Sequence, residues 1–198
     1  MLSNIKIGTK VMAAFVILAI IASLIGITGI VYIKAIDNAD TSLYENITMG
    51  LKNVMDAAMS FHRIRVNMRD MIRSNDQEGI KKNEDRIKEL SEIMHKDIAE
   101  LERKKLPENL RKELSTVKDL IKTYEDDMDE MINLAKINKD TEAIAILDGT
   151  GAKSSNAVRD SIDKIIGSME EDAKNTSDNN CRSAGTAVLI MVIAIIAG

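Results

Sequence analysis

The chain has 198 residues, 45% hydrophobic, 29% charged and only 3% aromatic, with one Pro, ten Gly and no Trp. So little aromatic and turn-forming content argues against a β-rich domain, which needs alternating β-branched and aromatic runs between turn clusters. A single Cys excludes an internal disulfide and any multi-cysteine zinc or iron–sulfur site. The formal charge of −4 offers no electrostatic footprint for nucleic acid.

Residues 1–10 carry Lys6 and Lys10 and no acid, and Val11 to Ile33 then runs 23 residues without a charge. At 1.5 Å per residue that helix is roughly 34 Å long, enough to cross a hydrocarbon core of about 30 Å. The run exceeds the apolar core of a signal peptide and the helical pattern continues beyond it, so residues 11–33 read as an uncleaved transmembrane helix. The two lysines place residues 1–10 in the cytoplasm of an inner-membrane protein, with Tyr32 and Lys34 at the outer interface. Residues 34–183 are then extracytoplasmic and mildly acidic, with 25 Lys and Arg against 31 Asp and Glu. Residues 184–198 are again uncharged. As a helix they reach only about 22 Å, so a second transmembrane helix is expected to be incomplete here and the chain to be the front part of a longer protein.

Within 34–183 the apolar spacing is regular. Leu43, Ile47, Gly50, Val54, Ala57, Phe61, Ile64, Met68 and Met71 alternate steps of four and three, the period of a knobs-into-holes seam. The first span and this helix are expected to form one rod to about Arg73. Ser74–Glu78 supplies a turn and an N-cap. A second helix carries Ile80, Ile87, Leu90, Met94, Ile98 and Leu101, and ends before Pro107, which suits the first turn of a third. The third carries Leu110, Leu114, Val117, Ile121, Tyr124, Met128, Met131 and Ala135, and a turn at Asn138–Thr141 follows. The fourth runs through Ile144, Leu147, Val158, Ile162, Ile165 and Met169 into residues 184–198. Long helices with short connections pack up-down-up-down, so the expected fold is an all-α four-helix-bundle ectodomain continuous with two transmembrane helices.

The first bundle helix has a second stripe, Thr48, Leu51, Met55, Ala58, His62, Arg65, Arg69 and Ile72, apolar near the membrane and basic at its far end. Leu51, Met55 and Ala58 are candidates for a homodimer seam. The alternative is a single wide core face.

A short basic N-terminus, an uncleaved span, a helical domain of this size and a second span together resemble the transducer half of methyl-accepting chemotaxis proteins. More specifically they resemble the four-helix-bundle sensor domain of that family. Asn67–Asp76 is similar to its arginine-bearing end of helix one, and Ala143–Gly149 to its start of helix four. The resemblance implies a homodimeric transmembrane receptor for a small solute or a periplasmic binding protein, transmitting by a piston-like helix displacement. Adaptor and kinase contacts would belong to a part of the protein beyond residue 198. The same input module also precedes histidine kinases and cyclases.

Heights along antiparallel helices narrow the ligand site. If helix one rises from about residue 36 and helix four descends to about residue 184, level residues have numbers summing to about 220. Arg65, Arg69 and Arg73, on one face, then stand level with 155, 151 and 147. That partner interval, Asp148–Asn156, is polar and Gly-rich, and Thr150, Ser154 and Ser155 add hydroxyls. Guanidinium groups offer paired planar donors that suit a carboxylate. In the resembled family, carboxylate ligands bind between helix-one arginines and the start of helix four, which makes Arg65, Arg69, Arg73, Thr150, Ser154 and Ser155 the candidate site. The alternative is a solvated basic face paired with Asp70 and Asp148.

Nothing in the sequence calls for a cofactor or metal. A di-iron bundle needs two Glu-x-x-His motifs and Glu92–His95 supplies one. His62 and His95 differ in height by roughly 10 Å. The methionines fall on core stripes and read as packing. Cys181 is expected as a free thiol, with an interchain bridge as the alternative. Asn46 and Asn175 head sequons without other signs of a glycosylating host. No nucleophile–base pair or phosphate loop appears, so a sensor is favoured, a structural or partner-binding stalk is the alternative, and an enzyme is not expected.

Overall fold

The computed structural model describes residues 6–74 and 76–197. The first five residues of the expected cytoplasmic segment, Asn75 in the first turn, and Gly198 lie outside the described residues. All described regular structure is helical: α1 (Ile7–Ser42), a π-helical segment (Leu43–Thr48), α2 (Met49–Ile72), α3 (Gln77–Glu102), α4 (Glu108–Lys136), α5 (Asp140–Asp148) and α6 (Thr150–Ala197). The chain divides into two compact units, one formed by residues up to Leu43 and from Lys174 on, the other by Tyr44–Ala173.

In the Tyr44–Ala173 unit the heptad stripes become the core. Ile47, Gly50, Val54, Ala57, Phe61, Ile64, Met68 and Met71 are buried, as are the eight stripe residues of α4 from Leu110 to Ala135. Ile80, Ile87, Leu90, Met94, Ile98 and Leu101 of α3 and Val158, Ile162, Ile165 and Met169 of α6 meet them. Full burial of one such side chain contributes about 1.5–3 kcal/mol, so the stripes drive the assembly. Packing is tight: where Val54, Ala57, Ile98, Leu101, Leu114, Val117, Ile162 and Ile165 converge, the void left is about 10 Å³. That is no more than the least volume a water needs. Phe61 and Tyr124 meet edge to face with centroids 5.0 Å apart.

The connections follow local chemistry. Asp76 caps α3, its Oδ1 accepting the Gly79 N–H at 2.6 Å. Pro107 stands immediately before the first turn of α4. Asn138 ends α4 at φ 56°, a left-handed value that asparagine tolerates. There the Lys139 N–H bonds Leu134 O and the Asn138 N–H bonds Ala135 O, closing the exposed carbonyls of the last turn.

One expected helix changes its winding and another is broken. The first helix passes through the π-helical segment Leu43–Thr48, where Asn46 Oδ1 accepts the Lys105 N–H at 3.0 Å. The fourth is split at Gly149 into α5 and α6. A β-carbon at Gly149 would stand 2.7 Å from Ala145 O, a backbone atom that cannot turn aside, so this break suits glycine. The split also changes which side of α5 is inside: Ala143 is buried and Ile144, expected on the core stripe, is exposed.

The other unit holds two apolar stretches. Two helices are long and apolar enough to cross a membrane, one within Ile7–Ile72 and one within Asp140–Ile196. Val11, Phe15, Leu18, Leu24, Ile27, Val188, Leu189 and Ile193 are all exposed. Continuous apolar exposure of this kind suits a lipid surface.

Candidate ligand-binding site

The site begins with the face of α2. Arg69 and Arg73, one helical turn apart, line a cleft of about 300 Å³ with Ile72 of the same helix and Ile144, Leu147 and Asp148 of α5. α5 ends at Asp148, and this last residue lines the cleft with the two arginines. Ile72, Ile144 and Leu147 supply the apolar part of a lining that is mainly polar, and Arg69, Arg73, Ile144 and Asp148 are exposed to solvent. Two guanidinium groups thus stand with one carboxylate. Among the described residues, none of Arg65, Arg69, Arg73, Asp70 and Asp148 forms an ion pair.

Of the six candidate residues, then, Arg69 and Arg73 share the cleft. Arg65 lies one turn before Arg69 on α2, half-buried, and does not line the cleft. Thr150 is exposed and does not line it. Ser154 is turned toward α4, where its Oγ donates to Asp127 Oδ2 at 2.5 Å. Ser155 is buried, its Oγ donating to Ala152 O at 3.2 Å within its own helix. The height rule placed these serines at the level of Arg65. Helix phase turns Ser154 to α4, which height alone does not reveal.

Tyr124 of α4 packs against Phe61 of α2 in the core. It is 2% exposed, and its hydroxyl has no hydrogen-bond partner. Burial pushes the phenol pKa up to about 12, against the opposing pull of the Arg65 and Arg69 charges and with a smaller push from Asp127. Sequence reasoning placed Tyr124 in the core and assigned it no role. The available signal was a polar-tipped residue amid an otherwise hydrocarbon-rich stripe.

Elsewhere, His62 is exposed on α2 and His95 Nε2 lies 2.6 Å from Glu125 Oε1 on α4. No group of three or more His, Cys, Asp or Glu converges on a metal position among the described residues. Of the seam candidates, Met55 is 57% exposed while Leu51 and Ala58 are half-buried. The exposed apolar stripe on α2 runs through Met55, Met59 and Val66, and Arg69 and Arg73 continue it. Cys181 is an exposed free thiol.

Residues 4–184 match the family described as a four helix bundle sensory module for signal transduction. The chain belongs to that family. Neither the curated proteins nor the solved structures searched contain a match. Family membership makes the bundle a sensory module. The cleft between α2 and α5 has two arginines without ion pairs among the described residues and room for a small solute, and a second cavity, of about 510 Å³, lies between α3 and α4 beside His95, Lys118, Lys122 and Glu125.

Proposed function

We propose that this sensory module is the input half of a transmembrane chemoreceptor that binds a small carboxylate-bearing solute in the Arg69–Arg73–Asp148 cleft. The observation that carries this reading is the pair of guanidinium groups, adjacent, lining a cleft and free of ion pairs among the described residues. A bidentate carboxylate contact satisfies such donors better than water does. Asp148 opposes a second carboxylate and favours an amino or hydroxyl group on the solute, so amino acids and hydroxy acids fit better than dicarboxylates. The solute is bound and released without chemistry, and no cofactor is required.

In this reading residues 11–33 and 184–198 lie in the inner membrane, residues 1–10 face the cytoplasm, and the bundle is extracytoplasmic. Two copies pair in parallel through the exposed stripe of α2. A ligand that binds one core packing better than another shifts the population between them, because packed helices have discrete arrangements. The resulting small displacement of α6 carries the signal inward to an adaptor-coupled, kinase or cyclase output.

A thermal-shift screen of the full chain in detergent against amino and hydroxy acids tests the binding claim. A ligand at 100 times its Kd stabilises by about 2.7 kcal/mol. A flat response across both classes would leave the stalk reading in its place.

A further inference from the structure

The cavity between α3 and α4 differs in kind from the arginine cleft. Its lining is mainly apolar, whereas that of the cleft is mainly polar. Two ion pairs cross from α3 to α4 along it. His95 Nε2 lies 2.6 Å from Glu125 Oε1, and Lys118 Nζ donates to the two Glu102 carboxylate oxygens at 2.9 and 3.0 Å. The two bridges are seven residues apart on each helix, so they stand about 10 Å apart at a rise of 1.5 Å per residue. Between these levels the cavity is lined by Ile98 and Ala99 of α3 and by Ile121 and Lys122 of α4. Ile98 and Ile121 are buried and close the floor, while Ala99 is exposed and leaves open the space that a longer side chain would fill. At about 510 Å³ the cavity falls within the range of small-molecule sites.

Its charges are not fully matched. Glu125 and Glu102 each already face a basic partner across the seam. Lys122 lines the same cavity, is exposed, and forms no ion pair among the described residues. We infer that this cavity is a second binding site, for a small amphiphilic monoanion: a carboxylate carrying one aromatic ring or a short branched hydrocarbon chain. The hydrocarbon body lies over Ala99 between the two bridges, where it covers apolar surface, and the carboxylate pairs with Lys122. Glu102 and Glu125 disfavour a second negative group on the ligand. The roughly 10 Å between the bridges excludes long acyl chains. The site bridges α3 and α4 and includes no residue of α2 or α5, so it is independent of the arginine cleft and takes a different class of ligand.

The chain has two histidines, so His62→Gln leaves His95 as the sole imidazole of the untagged full chain in detergent. Its ring protons, followed by NMR at constant pH and ionic strength, report from the cavity itself. Benzoate and 4-methylpentanoate are the probes. Acetate is the control for charge without a body, and benzyl alcohol for a body without charge. Both probes are expected to give saturable shifts of the His95 resonances, benzoate the larger through its ring current, and neither control a saturable one.

Ala99→Leu fills the space at an exposed position where leucine is a good helix former, and Lys122→Glu reverses the charge beside it. Each is expected to abolish the saturable shift. Lys122→Gln weakens binding about 2- to 5-fold, the range for one solvent-exposed charge pair. Arg69→Ala leaves it unchanged. Saturable shifts that survive Ala99→Leu or Lys122→Glu, or that disappear in Arg69→Ala, would overturn the second site. Absence of a saturable His95 shift with both probes would overturn it as well.

Discussion

Gly50 of α2 faces Met169 of α6 so closely that a β-carbon on Gly50 would lie 2.7 Å from the Met169 methyl and 3.2 Å from Leu101 Cδ1. Both neighbours are the ends of flexible side chains, able to move by a few tenths of an ångström. Gly50→Ala sets that shift against a gain of about 1 kcal/mol in helix propensity. The variant is expected to melt within a few degrees of the parent. Gly50→Leu overpacks the same point and should cost about 1–3 kcal/mol, read from denaturant midpoints.

The same pair shows what the sequence discloses. The numbers 50 and 169 sum to 219, close to the 220 expected from rise per residue alone. Heptad phase and helix length are local properties, so the core and the antiparallel register were legible from Leu, Ile, Val and Met positions. Local spacing carries neither the change of winding nor the break. The π-helical segment at Leu43–Thr48 occurs where Asn46 reaches the Lys105 N–H across the bundle, a contact between residues 59 apart. α5 ends at Asp148, which lines the cleft with Arg69 and Arg73, while Ser154 meets Asp127. Glu84 is the other case. It occupies the gap between Ile80 and Ile87 on the α3 stripe, a core position its charge disguised.

Glu84 predicts a pH effect. Its Oε1 accepts from Lys136 Nζ at 2.7 Å and from Lys88 Nζ at 2.8 Å. The Lys136 hydrogen bond, then the one from Lys88, holds the carboxyl below its ordinary value of 4.5. A depressed carboxyl stabilises the fold above the unfolded pKa, and that stability is lost as pH falls through the folded value. The parent should therefore lose stability through this group as pH falls below the ordinary carboxyl value of 4.5. Glu84→Gln should be about 1–3 kcal/mol less stable near neutrality and show a shallower acid decline, followed by thermal melts across the range. Parallel acid profiles for the two proteins would exclude Glu84 as the responsible group.

The exposed apolar stripe of α2 predicts where copies meet. In a Cys181→Ser background, Met55→Cys and Met59→Cys are each expected to form symmetric disulfide-linked dimers in membranes under mild oxidation. Met55 and Met59 are 57% and 53% exposed, and a free apolar face of this kind marks an interface. Lys88→Cys, on the exposed face of α3, serves as the control. Cross-linking at Met55 and Met59 no more efficient than at Lys88 would exclude this stripe as the seam.

The central claim, that Arg69 holds a carboxylate in the α2–α5 cleft, is tested most directly by Arg69→Ala in the full chain, measured as ligand-induced melting shift. Take the acid giving the largest shift in the parent. The account predicts that Arg69→Ala abolishes that shift while the ligand-free melting temperature and helical content stay close to the parent, because Arg69 is exposed and holds no ion pair among the described residues. Arg69→Lys should recover little, since an ammonium cannot make the paired planar contact. A full ligand response in Arg69→Ala, or in the Arg65, Arg69 and Arg73 triple alanine variant, would contradict the account and move the binding site to another face of the bundle.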